Sequence, residues 1–153
     1  MFDILKNGKD TVAEVFDYQD NVQVVNENWK ISIPKIGLEA SIADGVSIDV
    51  LSKSVGHFEN SGVTSGNVCL KAYSSGNSIN YFKKIKNLRD GDEIIYKKDD
   101  CLITYIVNFS GVINYNDLAY LEQDDENKIT LITNIENESG YLRCVQGTAN
   151  VSI

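Results

Sequence analysis

The amino-acid sequence predicts an all-β domain whose strands close, or nearly close, into a barrel. Three observations lead to this prediction: short extended segments recur along the chain, turn signals rich in Gly, Asn, Asp and Ser separate them, and the helical segments between them are brief. This combination is typical of small β-barrels. With 153 residues, of which 42% are hydrophobic, the chain is long enough to form one hydrophobic core.

The first 28 residues differ in character from the rest of the chain. They are polar and lack the alternation of a strand, and Thr11 followed by Glu14 fits a capping box, which predicts a short helix over about 11–18. We therefore divide the chain into an N-terminal arm or linker, residues 1–28, and a barrel domain, residues 29–153.

The first strand is predicted at Trp29–Ile33, where apolar and polar residues alternate as in a half-buried strand. Pro34 lacks a backbone N–H and therefore interrupts strand pairing. The next predicted elements, in order, are an extended segment over 35–42, a helical turn over 48–54 and a strand over 67–72.

The second half of the domain opens with a loop over 74–78, which its Ser, Gly and Asn content predicts to be flexible. Asp99 and Asp100 form a turn signal between two extended segments, so we predict a β-hairpin there. The other predicted elements are a short amphipathic helix over 81–85, the hairpin strands over 93–97 and 101–113, a helical turn over 116–121, an acidic loop over 123–127, and strands over 128–135 and 141–151.

The charge of the chain disfavours two classes of partner. Its formal net charge is −8, so nucleic acid and an anionic lipid surface would both be repelled. Lys83, Lys84 and Lys86 lie close together, but on what we predict to be one exposed helical turn rather than a basic stripe.

The sequence leaves two cellular locations open. No apolar run approaches the roughly 18 residues that suggest a membrane span. Residues 1–7 lack the basic-then-apolar layout of a secretory signal. Either the protein is cytoplasmic, or an N-terminal targeting segment has been trimmed away.

Three cysteines, Cys69, Cys101 and Cys144, are odd in number and widely spaced. They form no CxxC pair and have no histidine at metal-ligand spacing, so a zinc site is not expected. We interpret them as small apolar residues of the core, because free cysteine is commonly buried.

The acidic residues suggest calcium as one alternative. Asp124, Asp125 and Glu126 form an acidic loop, and Asp90 and Asp92 lie elsewhere in the chain. Hard cations bind clustered carboxylates, but the spacing is not that of an EF-hand, and a solvated acidic loop is the commoner explanation. We therefore expect no metal and no cofactor, with calcium as the alternative.

Five motifs in a fixed order carry a family resemblance. In chain order they are ISIPKIG from Ile31 to Gly37, VGH at Val55 to His57 with Asn60-Ser61 and Gly66-Asn67 after it, the segment from Phe82 to LRDGD at Leu88 to Asp92, TLIT at Thr130 to Thr133, and RCVQG at Arg143 to Gly147. Their order resembles the sortase family, in particular the small clostridial sortases often grouped as class D. The resemblance extends from about Trp29 to the C-terminus.

This resemblance implies an eight-stranded, sortase-like closed β-barrel and a surface transpeptidase. In that family a cysteine thiolate attacks the Thr–Gly bond of a sorting motif and forms a thioacyl enzyme. A histidine manages the proton, and an arginine holds the substrate and stabilises the developing oxyanion. The chemistry requires a thiolate near neutral pH and a titratable acid for the leaving amine.

Two of the three catalytic positions hold other residue types in this sequence. The family's histidine position falls on Tyr73, its cysteine position falls on Asn134, and only the arginine, Arg143, is retained. A phenol is a poor acid–base group near neutral pH, and an amide forms hydrogen bonds but is no nucleophile. We therefore expect no intact catalytic set, and the chain is identified as a catalytically degenerate member.

Other residues are weak candidates for the missing roles. His57 is the only histidine and matches a segment upstream of the catalytic one, so we expect its ring to bond the backbone. Cys144 adjoins Arg143 on a predicted strand, so the two side chains point to opposite faces. Cys69 lies four residues before Tyr73 and shares its face, but we expect it to lie deeper in the barrel.

Three functions stay open. The first is an inactive pseudoenzyme whose groove, floored by Tyr73, Asn134 and Arg143, binds a sorting-signal-like peptide or another partner of a cell-wall sorting system. The second is an active cysteine transpeptidase or hydrolase with displaced catalytic residues such as Cys69, and the third is a purely structural barrel. The resemblance also implies a cell-surface location with a membrane anchor at the N-terminus; a cytoplasmic location is the alternative.

Overall fold

The computed structural model describes residues 28–123 and 125–150, and β-strands dominate this part of the chain. Short helices join the strands: α1 at Ile48–Leu51 and 3-10 helices at Pro34–Ile36, Ile85–Asn87 and Leu118–Leu121. The strands are β1 (Trp29–Ile33), β2 (Leu38–Asp44), β3 (Val55–His57), β4 (Asn67–Lys71), β5 (Glu93–Lys98), β6 (Cys101–Asn114), β7 (Lys128–Asn134) and β8 (Tyr141–Ala149).

The eight strands close into a barrel in the order β1-β2-β3-β4-β7-β8-β6-β5. Antiparallel pairing of β1 with β5, from Trp29 opposite Lys98 to Ser32 opposite Ile95, completes the ring. Two pairs are parallel, β2 with β3 and β4 with β7, and the second brings together strands that lie far apart in the sequence. The predicted all-β, eight-stranded closed barrel is confirmed.

Most predicted elements are present, including the first strand, the helical turn after residue 48 and the hairpin of β5 and β6. The extended segment predicted over 35–42 is wrong at its start, because Pro34 begins a 3-10 helix and β2 starts only at Leu38. Gly37 allows this turn, since it has a φ of 65°, which glycine adopts without a steric cost. The helix predicted over 11–18 lies outside the described residues, and the boundary at residue 28 stays a prediction.

The short amphipathic helix predicted over 81–85 begins later than predicted. The chain forms turns there, followed by a 3-10 helix at Ile85–Asn87. Phe82, Ile85 and Leu88 are all fully buried, and their spacing of three matches the roughly three residues per turn of a 3-10 helix. The apolar face was therefore recognised correctly, but its period is that of the tighter helix.

The main core fills the interior of the barrel. Val68 and Leu70 of β4 belong to it, as does Ala72 just after the strand, so Asn67 and Cys69 face the outside of the barrel. Every strand contains at least one buried residue. The largest fully buried side chains are those of Tyr96, Tyr105, Phe82, Ile31, Ile33, Ile42, Leu70, Ile85, Leu88, Ile94, Ile129 and Leu131.

Two buried tyrosines of the β5–β6 hairpin differ in their hydrogen bonding. Tyr96 accepts a hydrogen bond from Nε1 of Trp29 at 3.0 Å and donates its hydroxyl hydrogen to the carbonyl of Val63. The hydroxyl of Tyr105 is buried without a partner among the described residues, and the two rings lie 6.3 Å apart edge to face. Tyr96 thus connects the closing strand pair to the loop before β4.

We predict opposite outcomes for removing these two hydroxyls. Tyr96→Phe leaves the Trp29 indole N–H unpaired in the core and removes the part-buried hydrogen bond to the Val63 carbonyl, which we expect to lower the free energy of unfolding by about 1–3 kcal/mol. Tyr105→Phe removes a hydroxyl that has no partner and should be neutral or slightly stabilising. Urea denaturation of both variants measures the difference, and equal losses would contradict this account.

A second, smaller apolar cluster lies on the outside of the barrel. Ile113, Ile132 and Cys144, from β6, β7 and β8, are its buried members. Residues 115–123, which we call the cover segment, place Tyr120 and Leu121 against them. This segment therefore shields an apolar outer face that would otherwise meet water.

Asn67 fastens the cover segment to the barrel. Its side-chain Nδ2 donates to the carbonyls of Tyr120 at 3.0 Å and Glu122 at 3.1 Å, while its Oδ1 accepts from the Thr130 hydroxyl at 2.8 Å. The Gln123 side chain completes the attachment through both backbone groups of Asn67. All of these bonds form at Asn67, a fully buried residue.

We predict that Asn67→Ala lowers the free energy of unfolding by about 2–4 kcal/mol, because several buried hydrogen-bonding groups lose their partner at once. The matched control is Asn116→Ala, within the same segment but exposed, which should change stability by less than about 0.5 kcal/mol. Chemical denaturation distinguishes the two. A small effect at Asn67 would mean that the apolar contacts alone hold the segment.

Candidate functional site

A pocket of about 310 Å³ opens beside the C-terminal end of β7. Its walls come from the loop after β4, the 3-10 region after it, the end of β7 and one residue of β8. The lining residues used below are Ser75, Asn80, Lys83, Lys86, Asn134, Glu136 and Arg143. Segments distant in sequence meet here because β7 lies between β4 and β8 in the ring.

Asn134, the last residue of β7, is hydrogen-bonded to the loop that follows β4. Its side-chain Oδ1 accepts from the backbone N–H of Ser74 at 3.1 Å, and its Nδ2 donates to the Ser75 hydroxyl at 3.5 Å. The Ser74 hydroxyl donates to the backbone carbonyl of Asn134 at 2.6 Å. The amide therefore organises the pocket wall, and it offers no nucleophile.

Tyr73 lies next to this arrangement without lining the pocket. It is half-buried, and its backbone carbonyl accepts from the N–H of Phe82 at 3.0 Å. Lys71 is in register with Ile132, so the same parallel offset continued by two residues brings Tyr73 alongside Asn134. The structure thus places Asn134 and Arg143 in the pocket and Tyr73 beside it.

Arg143 approaches the pocket from β8. It is directly opposite Thr133 of β7 and Val112 of β6. It is partly exposed, and no carboxylate of the described residues forms an ion pair with it. Its neighbour Cys144 points to the outer cluster, as the alternation of side chains along a strand requires.

The pocket is cationic. Lys83, Lys86 and Arg143 line it, and Glu136 is its one acidic lining residue. Among the described residues, none of these four takes part in an ion pair. The potential at the pocket therefore favours a negatively charged group.

His57 lies elsewhere and serves the fold. Its ring is buried and in contact with Trp29, at 5.2 Å between ring centroids. Nδ1 is 2.7 Å from a carboxylate oxygen of Asp44, and Nε2 is 2.8 Å from the carbonyl oxygen of Gly62 and 3.0 Å from the Ser61 hydroxyl. The ring bonds the backbone as predicted, and both nitrogens are occupied.

Cys69 and Cys144 are both fully buried, and neither lines the pocket. Burial raises the pKa of the Cys69 thiol to about 11 and that of the Cys144 thiol to about 12, so both are protonated near neutral pH. Cys69 was expected deeper in the barrel; instead it lies on the outer face, with its sulfur 3.9 Å from the carbonyl of Leu121 in the cover segment. Cys101 is partly exposed.

Sequence reasoning missed the residues that surround the predicted positions. The Ser-rich loop was recognised only by composition, although Ser74 and Ser75 hold the amide of Asn134. Asn80 and Glu136 carry no local motif either. Of these surrounding residues, only Lys83 and Lys86 carried a sequence signal for the pocket. They are three residues apart, and residues at that spacing share one face of a 3-10 helix.

The described residues contain neither a cluster of metal ligands nor a helix that could span a membrane. In residues 28–123 and 125–150, no group of three or more His, Cys, Asp or Glu side chains could hold a metal ion. Asp124 of the acidic loop lies outside these ranges, so the calcium alternative stays a prediction. No helix in the same ranges has the length and apolar character needed to cross a membrane.

Comparisons with known proteins agree with the fold. A family model described as a sortase domain matches residues 31–146. The chain is 30% identical to a Clostridium perfringens sortase D5 transpeptidase, with a TM-score of 0.73 over 80% of this chain and 78% of that chain. A comparison with curated proteins found no match.

Two further solved structures are of the C type. Sortase C from Clostridium perfringens SM101 is 26% identical, with a TM-score of 0.70 over 80% of this chain and 69% of that one. Sortase C1 from Streptococcus agalactiae is 25% identical, with a TM-score of 0.74 over 82% of this chain and 68% of that one. The family model extends from β1 into β8, so it includes almost the whole barrel. From its barrel and from these matches, the chain belongs to the sortase family, whose members are cysteine transpeptidases.

Proposed function

We propose that this sortase-family protein is a pseudoenzyme that binds an extended, sorting-signal-like peptide without cleaving it. One observation carries the proposal: Asn134 occupies the predicted nucleophile position with its amide bonded to Ser74 and Ser75, while Arg143 lines the same pocket with no ion-pair partner among the described residues. The nucleophile is replaced, and the residue that would hold a peptide is retained.

The covalent mechanism lacks both a nucleophile and a group that transfers the proton. A thioacyl intermediate requires a thiolate, but the pKa values of Cys69 and Cys144 are raised by burial and both thiols lie outside the pocket. Proton transfer to a leaving amine requires a free titratable group, but both nitrogens of His57, the only histidine, are hydrogen-bonded within the fold. Binding without turnover is what the remaining groups support.

Recognition would depend on side chains rather than on strand addition. Each strand has a neighbour on both sides of the closed ring, so a peptide finds no free sheet edge of the usual kind. Arg143 supplies charge-assisted donors to peptide carbonyl or carboxylate oxygens, and Ser75 lines the same pocket. Tyr73, next to Asn134, would contact the peptide at the edge of the pocket.

Location and partners follow from the family rather than from the pocket. We propose a cell-surface protein that acts on peptides or proteins of a cell-wall sorting system, attached to the membrane through a segment N-terminal to the barrel. The formal net charge of −8 opposes a nucleic-acid partner.

Titration of isotopically labelled protein with sorting-motif peptides, followed by NMR over several hours, tests the proposal. We expect localised shifts around Tyr73, Asn134 and Arg143, with the peptide intact at the end. Arg143→Ala should weaken binding at least about tenfold, because a charge-assisted hydrogen bond contributes roughly 1.5–3 kcal/mol. Lys53→Ala removes the same charge outside the pocket and should leave affinity unchanged.

Either of two results would overturn the proposal. Peptide fragments that accumulate during the titration would demonstrate turnover and therefore an active enzyme. A complete lack of shifts would favour a purely structural barrel, and unchanged affinity in the Arg143 variant would mean that peptides bind outside this pocket.

The thiols provide an independent test of the alternative in which Cys69 is a displaced nucleophile. We predict that a thiol-alkylating reagent at mildly alkaline pH modifies Cys101, which is partly exposed, and spares the buried Cys69 and Cys144 in the folded protein. Mass spectrometry of the digested protein identifies the modified residues, and unfolding in urea should expose all three. Rapid modification of Cys69 in the native state would support the displaced enzyme instead.

A further inference from the structure

The charge of the pocket is the reverse of the charge of the whole chain. The protein has 22 acidic and 14 basic residues, yet three basic residues and one acidic residue line the pocket. Other lysines are paired, including Lys30 with Glu39 and Lys35 with Asp92. Lys83, Lys86 and Arg143 are not, among the described residues, so their charge is available to a ligand.

The backbone holds the two lysines on one side of the pocket. The segment from Phe82 to Leu88 follows i to i−3 hydrogen bonding, so residues three apart share a face. Its other face carries the buried Phe82, Ile85 and Leu88, which anchor it in the main core. Lys84 borders a different cavity and does not line this pocket, although Lys83 and Asn80 border both.

Asn80 adds an acceptor to these cations. Its Nδ2 donates to the carbonyl of Asn77 at 2.6 Å, which fixes the orientation of the amide. Its Oδ1 is buried and has no hydrogen-bond partner among the described residues, and Asn80 lines the pocket. A buried acceptor without a partner is costly, and a peptide N–H is the kind of donor that would satisfy it.

An apolar surface continues from Arg143 along the barrel. Val112 is directly opposite Arg143, and Tyr141 lies two residues before it, so the three side chains share one face of the β6–β8 pair. Val112 is 51% exposed and Tyr141 is 46% exposed. A ligand whose polar group occupies the pocket can therefore pack an apolar neighbour here.

We propose that the ligand is a peptide segment that carries a carboxylate next to an apolar residue. The carboxylate, from an acidic side chain or a C-terminus, lies between Lys83, Lys86 and Arg143, while an adjacent backbone N–H bonds Oδ1 of Asn80. The apolar residue packs against Val112 and Tyr141. This inference rests on the proposed function, since it specifies which peptides that pocket selects.

A polyanion such as nucleic acid is excluded, because it would extend over the acidic remainder of the surface.

Three amidated or free-acid versions of one sorting-motif peptide test this selectivity. The first has an internal Glu and an amidated C-terminus, the second has Gln in place of that Glu, and the third is the Gln peptide with a free C-terminal carboxylate. Calorimetric or NMR titration gives the affinity of each. We expect at least one carboxylate peptide to bind about 3- to 10-fold more tightly than the neutral peptide, since exposed ion pairs contribute modestly. Whichever carboxylate is preferred identifies its source.

Lysine variants connect the preference to the pocket. The preference should disappear in the double variant K83Q/K86Q and persist in K84Q, whose lysine is exposed but outside the pocket. All three lysines are exposed, so thermal unfolding should confirm that these variants fold normally. Added salt should also reduce the preference, because exposed charges are screened.

The outcomes separate this inference from the proposed function. Equal affinity for all three peptides would overturn the carboxylate preference while peptide binding itself stands. An equal loss of the preference in K84Q would assign it to overall charge and would likewise overturn the inference. If no peptide binds, the proposed function fails and this inference fails with it.

Discussion

Closure of the barrel by β1 and β5 is the constraint on which the rest of the structure depends. Their antiparallel pairing from Trp29 to Ser32 completes the ring and thereby fixes the position of every other strand. In that ring β7 must lie between β4 and β8, so the end of β4 meets Asn134 and Arg143 although it is distant from both in the sequence. The indole of Trp29, bonded to Tyr96, supports the closing pair from within the core. The pocket is therefore a property of the closed ring and not of any single segment.

Buried polar groups attach the connecting segments to this ring. Asn67 binds the cover segment, and His57 joins the end of β2 to the loop after β3 through Asp44 and Gly62. Each of these side chains has its hydrogen-bonding groups satisfied, which a low-dielectric interior requires. Apolar burial alone would favour collapse without selecting these connections. In this protein the polar network specifies which loop lies on which strand.

The sequence allowed the barrel to be predicted because its signals are local. The alternation of apolar and polar residues identified the strand at Trp29–Ile33, and the turn at Asp99-Asp100 identified the hairpin of β5 and β6. The type and start of the helix near 81–85 were not predicted, since a period of three over a few residues is hard to distinguish from 3.6. Asn134 and Arg143 were found as candidate positions through motif order, but the bond from Ser74 to Asn134 joins residues 60 positions apart and leaves no local pattern. The same holds for the burial of Cys69 on the outer face, which depends on the cover segment.

The bonds between Asn134 and the Ser74–Ser75 loop have an evolutionary consequence. If the ancestor of this chain carried a cysteine at that position, as cysteine transpeptidases do, the loop has since adapted to a side chain with a carbonyl oxygen and an amide nitrogen. A thiol would leave the backbone N–H of Ser74 without its acceptor, at a cost of about 1–3 kcal/mol. For the pseudoenzyme proposed above, return to catalysis would therefore require coordinated changes in the loop as well as at Asn134 and Tyr73. Each hydrogen bond that accommodates the amide would then make reversal by single substitutions less accessible to selection.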